Sequence, residues 1–312
     1  MARIVFMGTP EFSVPVLNAL ADQHTVVGVV TQPDRPAGRG GAKARPLPPP
    51  AKEAALARGI PVLQPPSLRA PDAVEAIAAW QPDVIVVAAF GQILRPALLA
   101  LPPHGCLNVH ASLLPRYRGA APIPAAILAG EPVSGVTLMV MDEGLDTGPI
   151  LVQAEWPLVA DETTASLTAR LAALGARLAV DTLPAWLAGE IRPRPQDNAQ
   201  ATWCTPLKKE DGLLDWSRPA AILDRQVRAC DPWPGAFTWL HGERLKLLRA
   251  RPLPEPPAVP GPGEVLALDG GLAVGTGQGL MELLEIQLAG KKPLSAAVFA
   301  RGRRDLIGAH LG

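Results

Sequence analysis

The 312-residue chain has little cysteine and no long apolar run. Its three cysteines are odd in number and far apart in the sequence: Cys106, Cys204 and Cys230. This arrangement fits neither a disulfide framework nor a zinc pattern, so we expect reduced thiols. No segment approaches the roughly 18 uninterrupted apolar residues of a membrane span, which argues against a membrane protein. The first predicted strand begins almost at Met1 and leaves no room for a signal peptide, so we expect a cytoplasmic protein.

An excess of charge of one sign is also missing. The chain has 29 basic and 29 acidic residues and a net charge of zero, which does not indicate a nucleic-acid-binding protein as a whole. A polyanionic partner would have to be bound by local basic patches. Such patches occur in an early loop, after the middle of the chain and near its end: Arg39, Lys43 and Arg45; Lys208 and Lys209; Lys291 and Lys292. A solvated surface explains each patch equally well.

The length suits two domains, and the sequence pattern changes near its middle. In the first half, β-branched runs alternate with Ala/Leu-rich segments, which is typical of a parallel sheet wrapped by helices. Strands are predicted at 3–7, 25–31, 84–88, 105–109 and 135–140, and helices at 15–21, 51–58, 73–80, 123–129 and 164–187. We expect a catalytic domain over 1–188, a linker over 189–206 and a second domain over 207–312.

The second domain is predicted to be a small β-barrel. One helix at 219–229 precedes short strands at 236–240, 245–250, 263–268, 272–274 and 280–287, with glycine-containing turns between them. The strand count fits a five-stranded barrel of the oligonucleotide-binding (OB) type. The overall fold class is therefore α/β, a mostly parallel sheet joined by a linker to an OB-like barrel.

Asn108 and His110 are the main candidates for chemistry. Residues two apart on a strand point to the same face, and this strand is predicted to end where open α/β sheets bind ligands. Asp146, in the next strand-to-loop segment, can supply a carboxylate that orients the imidazole and favours its protonated form. Such a set suits direct acyl transfer, with donors for a growing oxyanion and a carboxylate to accept the amine proton. A core histidine, a strand-end asparagine and a turn aspartate are the simpler alternatives.

Other motifs are weaker. The strand-to-helix turn at Gly8 lacks a full Gly-x-Gly-x-x-Gly, so a tight turn is favoured over a dinucleotide site. No Gly-x-Ser-x-Gly elbow is present, which leaves an acyl-serine mechanism weakly supported. Cys106 and His110 have the i, i+4 spacing of a metal pair, but that spacing matters only on a helix and no further ligands cluster near it. The basic loop over 32–50 is longer than ordinary connections, which is typical of a functional loop or of a surface excursion.

Two segments carry a family resemblance. Residues 108–115, NVHASLLP, and 144–148, GLDTG, resemble the signature of formyltransferases that use 10-formyltetrahydrofolate as formyl donor. Four more segments resemble the branch of this family that acts on initiator tRNA, and with them the resemblance extends over essentially the full chain. They are FMGTPEF at 6–12, TQPDRPAGRG at 31–40, RYRGAAPI at 116–123 and AGKKP at 289–293.

The resemblance implies a Rossmann-like catalytic domain and a C-terminal barrel that helps to hold tRNA. It implies formyl transfer to the α-amino group of methionine on initiator tRNA, for translation initiation, with Asn108, His110 and Asp146 as catalytic residues and without a metal. The expected folate contacts are Phe90, Gly91, Gln92, Ile93, Leu94, Ser112, Leu113, Leu114, Pro115 and Asp142. The expected tRNA contacts are Arg39, Lys43 and Arg45, in a loop against the acceptor end, with Lys208, Lys209, Lys291 and Lys292. We expect a monomer.

Three alternatives stay open. A formyltransferase for a small amine, such as a nucleotide sugar or glycinamide ribonucleotide, would share the catalytic set. A formyltetrahydrofolate hydrolase would use the same site with water as acceptor. A non-catalytic RNA-binding protein built on the barrel would not need the set at all.

Overall fold

The structure is a computed structural model that describes residues 1–36, 46–253, 260–301, 303 and 305–312. Its contacts divide the chain into two compact units. Unit 1 consists of Met1–Pro122, Val133–Pro157 and Thr168–Thr205, and unit 2 of Ile123–Pro132, Leu158–Leu167 and Pro206–Gly312. Two short segments from within residues 1–188 are therefore counted with the C-terminal unit.

Unit 1 contains a seven-stranded sheet with the order β3-β2-β1-β4-β5-β7-β8. The strands are β1 Arg3–Gly8, β2 Thr25–Val30, β3 Val62–Leu63, β4 Val84–Ala88, β5 Cys106–His110, β7 Val133–Val140 and β8 Ile150–Pro157. All neighbours are parallel except β5 with β7 and β7 with β8, which are antiparallel. A two-stranded parallel pair lies outside this sheet: β6 Arg118–Gly119 and β9 Trp203–Cys204. The predicted mostly parallel α/β fold is confirmed.

The helices of the first two thirds of the chain follow the predicted alternation. They are α1 Ser13–Gln23, α2 Pro50–Ala57, α3 Pro71–Ala78, α4 Pro96–Leu99, α5 Pro122–Ala129 and α6 Thr164–Leu187. Strand β4 is buried along its whole length, as expected for a central parallel strand covered on both faces. Glycine at position 175 allows α6 to approach β5, because a Cβ there would lie 2.7 Å from Cγ1 of Val109. Close packing behind β5 holds the strand that carries the candidate catalytic pair.

Five strands and α-helices of unit 1 were not predicted: β3, β6, β8, β9 and α4, of which β6 and β9 have only two residues each. Strand β8 is mostly partly buried, with exposed residues only toward its end, and it includes Gln153 and Glu155, so it lacks the apolar run of a central strand. Within the described residues it is an edge strand with a neighbouring strand on one side only, so it needs less apolar burial than a central strand. Strand β3 and helix α4 have two and four residues, too short for periodicity to reveal.

Unit 2 contains a curled antiparallel sheet with the order β10-β11-β14-β13-β12, and β15 pairs with β14. Its strands are β10 Phe237–Leu240, β11 Glu243–Leu253, β12 Val265–Leu268, β13 Gly271–Gly275, β14 Leu280–Leu288 and β15 Leu294–Ser295. Helices α7 Ala220–Ala229 and α8 Ala296–Arg301 accompany it. One core joins sheet and helices and includes Trp216, Leu223, Val274, Met281 and Phe299. This agrees with the predicted small OB-like domain, to which the structure adds β15 and α8.

No helix within the described ranges is long and apolar enough to cross a membrane.

Candidate active site

Asn108 and His110 lie at the C-terminal end of β5. This strand is hydrogen-bonded on one side to β4 and on the other to β7, where His110 is opposite Thr137. Flanking by two central strands fixes the direction of alternate side chains, so the amide and the imidazole project from the same face. The His110 side chain is almost completely buried, at 5% exposure. The strand therefore presents a donor amide and a desolvated ring together, as the sequence predicted.

Asp146 joins these two side chains from the loop between β7 and β8. Its Oδ1 accepts a hydrogen bond from Nδ2 of Asn108 at 3.2 Å, and its Oδ2 lies 3.6 Å from Nδ1 of His110. The residue has a φ of +53°, which is uncommon for a non-glycine residue. Strained backbone of this kind persists where surrounding contacts determine it, and such positions cluster at active sites.

Both ring nitrogens of His110 face oxygen atoms. The backbone carbonyl of Tyr117 lies 2.9 Å from Nε2, and the Asp146 carboxylate faces Nδ1. A ring that donates to the Tyr117 carbonyl from Nε2 has Nδ1 next to the Asp146 carboxylate. In this conformation Nε2 is already paired with a protein group. Donation from Nε2 to a substrate oxyanion would require exchange of that hydrogen bond.

Backbone groups near the motif complete the cluster, and sequence reasoning missed them. The N–H of Gly119 donates to Oδ2 of Asp146 at 2.8 Å, so the carboxylate has a donor on each oxygen. Gly119 belongs to β6, which pairs with β9 in register Gly119 with Cys204. Gln196, placed by us in the linker, donates to the backbone carbonyl of Asp146 at 2.8 Å. Backbone donors and a linker carboxamide carry no sequence signal for chemistry.

The thiols near this cluster are held neutral. Burial is the main cause that raises the pKa of Cys204, and the charge of Asp146 raises it further. Burial also raises the pKa of Cys106 to about 12. Since the thiolate is the nucleophilic form, neither side chain is suited to attack a carbonyl. No group of three or more His, Cys, Asp or Glu side chains that can hold a metal occurs among the residues that the structure describes.

The predicted folate residues after β4 divide into exposed and structural ones. Gly91 and Ile93 are exposed, Ile93 to 69%. Phe90 and Leu94 are buried in the core of unit 1. Gln92 donates to the carbonyl of residue 65 and accepts from the amide of residue 68. The structure therefore leaves Gly91 and Ile93 as the accessible members of this group.

The remaining predicted folate residues show the same division. Ser112 is buried and its hydroxyl donates to the carbonyl of residue 116 at 2.7 Å. Leu114 packs in a small cluster with residues 139 and 150, whereas Leu113 and Pro115 are partly exposed. Asp142 is exposed, and its Oδ1 accepts from the amide of residue 144 and the hydroxyl of residue 147.

The predicted tRNA residues are separated along the chain. Arg39, Lys43 and Arg45 lie outside the described residues. Lys208, Lys209, Lys291 and Lys292 are exposed on unit 2, the last two in the turn between β14 and β15. Exposed lysines of this kind fit phosphate contacts but equally an ordinary solvated surface.

Sequence comparisons identify the class of protein. Residues 2–183 match the formyl transferase family, and residues 206–304 match the formyl transferase C-terminal domain. The chain therefore belongs to the formyl transferase family, which confirms the resemblance found in its motifs. It is 51% identical over 302 residues to the methionyl-tRNA formyltransferase of Chloroflexus aggregans, covering 96% of this chain and 97% of that protein. It is 50% identical over 303 residues to the methionyl-tRNA formyltransferase of Myxococcus xanthus, covering 97% and 95%.

A solved structure shows the same fold. The N-formyltransferase of Helicobacter canadensis, in complex with folinic acid and dTDP-3-aminofucose, has a TM-score of 0.68 and 18% sequence identity. The match covers 94% of this chain and all of that one. At this identity the likeness extends to the fold and not to the acceptor.

Proposed function

We propose that this enzyme transfers the formyl group of 10-formyltetrahydrofolate to the α-amino group of methionine on initiator tRNA. The convergence of Asn108, His110 and Asp146 at the end of β5 is the observation that carries the reaction. Relatives of about 50% identity that match this chain over nearly their whole length, and are methionyl-tRNA formyltransferases, support the choice of acceptor. The reaction places the enzyme in translation initiation and in the cytoplasm, where charged tRNA is used.

Asn108 is the main donor to the reacting oxygen. When the amine attacks the formyl carbon, negative charge develops on the formyl oxygen and must be stabilised by a positioned donor. The Asn108 amide has two N–H groups, of which one is directed at Oδ1 of Asp146. The other is free to donate to the oxyanion. His110, with oxygen atoms facing both of its ring nitrogens, lies beside Asp146 in the same cluster.

Asp146 accepts the proton that the amine loses. Its carboxylate is held in place by the Asn108 amide and by the N–H of Gly119. An α-amino group has an ordinary pKa of about 7.7 to 8.0, so part of it is already neutral at pH 7 and only the proton shed after attack needs an acceptor. A carboxylate close to the attacking nitrogen, directly or through one water, is sufficient. The carbon–nitrogen bond to the donor then breaks and the donor nitrogen takes up the proton held by Asp146, so that tetrahydrofolate leaves with that nitrogen neutral and the carboxylate is restored.

Positioning of the large substrate comes from groups remote from the reacting atoms. Binding energy from such groups can be used to orient the amine, because it acts on the whole tRNA. We assign this task to the basic loop with Arg39, Lys43 and Arg45 and to the exposed lysines of unit 2. Gly91, Ile93 and Asp142 are the accessible residues that we assign to the formyl donor. The chain acts as a monomer in this proposal.

A formylation assay tests the proposal. Purified protein is mixed with 10-formyltetrahydrofolate and methionyl initiator tRNA, and formylmethionine released from the tRNA is measured by mass spectrometry. We expect product only with charged tRNA, and none with uncharged tRNA. Tetrahydrofolate release without tRNA would favour the hydrolase, transfer to glycinamide ribonucleotide or an amino sugar nucleotide would favour a small-amine enzyme, and tRNA binding without turnover would favour a binding protein.

A further inference from the structure

The side-chain carboxamide of Gln196 hydrogen-bonds on one side to the loop that carries Asp146 and on the other side to Arg118. Its Nε2 donates to the backbone carbonyls of Asp146, at 2.8 Å, and Gly148, at 2.7 Å. Its Oε1 accepts from Nε and Nη2 of Arg118, at 3.0 and 2.8 Å. The side chain thereby connects the 189–206 segment to two backbone carbonyls of the loop that carries Asp146. All these residues belong to unit 1.

Arg118 determines which way this carboxamide points. The arginine is buried, with 2% exposure, and its guanidinium can only donate hydrogen bonds. It therefore requires the oxygen of Gln196, and a second acceptor is provided by Oδ1 of Asn198 at 2.7 Å. With Oε1 facing Arg118, the NH2 group of Gln196 must face the two carbonyls. The orientation follows from chemistry and not from an arbitrary choice between oxygen and nitrogen.

The contacts of Gln196 restrain the backbone of Asp146. Its backbone has a φ of +53°, a conformation that costs roughly 1 kcal/mol or more for a residue with a side chain. The carboxylate is held by Asn108 and Gly119, but these bonds do not fix the backbone from which it projects. Gln196 holds the backbone carbonyl of Asp146 and that of a residue two positions later. The side chain and the main chain of the proton acceptor are thus restrained separately.

We propose that Gln196 is a positioning residue that holds Asp146 in catalytic geometry, with Arg118 fixing the orientation of its carboxamide. This inference rests on the proposed function, because the rate it concerns is that of formyl transfer. Gln196 touches no reacting atom in this scheme. It acts through Asp146, whose position relative to the attacking amine sets the rate of proton removal.

Two substitutions distinguish the contact of the carboxamide oxygen with Arg118 from the contacts of its NH2 group with Asp146 and Gly148. Gln196→Glu keeps oxygen acceptors for Arg118 and removes the NH2 donors to Asp146 and Gly148. Gln196→Met introduces a side chain of similar length and removes both the acceptor for Arg118 and the NH2 donors. The control is Gln200→Met, an exposed glutamine of the same segment whose Nε2 donates to Oδ2 of Asp197. For each protein, kcat and the KM of both substrates are measured in the formylation assay, together with the melting temperature.

We expect kcat to fall about tenfold in both Gln196 variants, with KM values within about twofold of wild type and no change for Gln200→Met. A tenfold change corresponds to about 1.4 kcal/mol, the size expected when one or two net hydrogen bonds are lost. Wild-type kcat in Gln196→Glu would overturn the proposal, because the contact with Arg118 alone would then suffice. Raised KM values with unchanged kcat would overturn it too. If the wild-type chain itself transfers no formyl group to charged tRNA, the proposed function fails instead.

Discussion

Replacement of Gly119 by alanine is the substitution whose effect can be worked out most fully from the structure. Gly119 has a φ of +117°, a conformation that other residues adopt only at a cost of roughly 1 to 3 kcal/mol. A Cβ at this position would also overlap the backbone carbonyl oxygen of Cys204, its partner in the β6–β9 pair. Relief of such overlap typically costs about 1 to 3 kcal/mol more. We therefore expect Gly119→Ala to lower the free energy of unfolding by about 2 to 6 kcal/mol.

The same substitution is expected to affect catalysis, because the N–H of Gly119 donates to Oδ2 of Asp146 at 2.8 Å. Displacement of β6 from β9 moves this donor, and a hydrogen bond to a charged group is worth about 1.5 to 3 kcal/mol. We expect kcat to fall roughly tenfold to a hundredfold. Unfolding in urea and the formylation assay measure the two effects on the same preparation.

Gly59→Ala is the matched control. Gly59 follows helix α2, has a φ of +68°, and a Cβ there would meet no atom within 4 Å. Alanine at this position introduces the backbone strain but no overlap, and the position is far from Asp146 in the sequence. We therefore expect the free energy of unfolding to fall by about 1 to 2 kcal/mol and kcat to be normal. Equal losses of stability in the two variants, or normal kcat in Gly119→Ala, would refute the reasoning about the β6–β9 contact.

Three further outcomes are expected. Asn108→Ala removes the oxyanion donor and should lower kcat by about 10² to 10³ in steady-state formylation; a loss below threefold would contradict that role. Arg39→Ala should raise the KM for charged tRNA and leave the KM for 10-formyltetrahydrofolate unchanged, whereas unchanged kcat/KM for tRNA would remove the early loop from tRNA binding. Burial raises the pKa of Cys106 from 9.0 to about 12 and that of Cys230 from 9.0 to about 11, so between these limits the unfolded chain loses the protons while the folded chain keeps them. Stability in urea should therefore fall as the pH rises from about 9 to about 11, and less so in Cys106→Ala.

The placement of the candidate pair on β5 could be predicted from the sequence because two physical regularities apply to this strand. Asn108 and His110 are two positions apart on a strand and therefore share a face, and parallel strands place their ends at a ligand-binding edge. The structure brings both within reach of Asp146, 36 residues beyond His110, which the motif implied but strand geometry alone did not. By itself an aspartate in such a turn sequence is more simply explained as a turn residue, and the family signature strengthened its assignment to the set.

The support around this set could not be predicted in the same way. Gln196 lies in a Pro-rich connecting segment, where a glutamine looks like any solvated polar residue. Its role depends on the fold returning this segment to Asp146 and Arg118. The donor from Gly119 and the acceptor from Tyr117 are backbone groups, which every residue has. Contacts made by backbone groups across long sequence separations leave no pattern in the residue types.

In the proposed reaction Asp146 assists formyl transfer to the amine of methionyl initiator tRNA. This role is tested by single-turnover transfer of an isotopically labelled formyl group from 10-formyltetrahydrofolate, at saturating tRNA and pH 7. We expect wild-type enzyme to place the label on the α-amino group of methionine and Asp146→Asn to be slower by a hundredfold or more, on the order of 3 kcal/mol. Equal rates for the two proteins, or label released as formate regardless of charged tRNA, would contradict it.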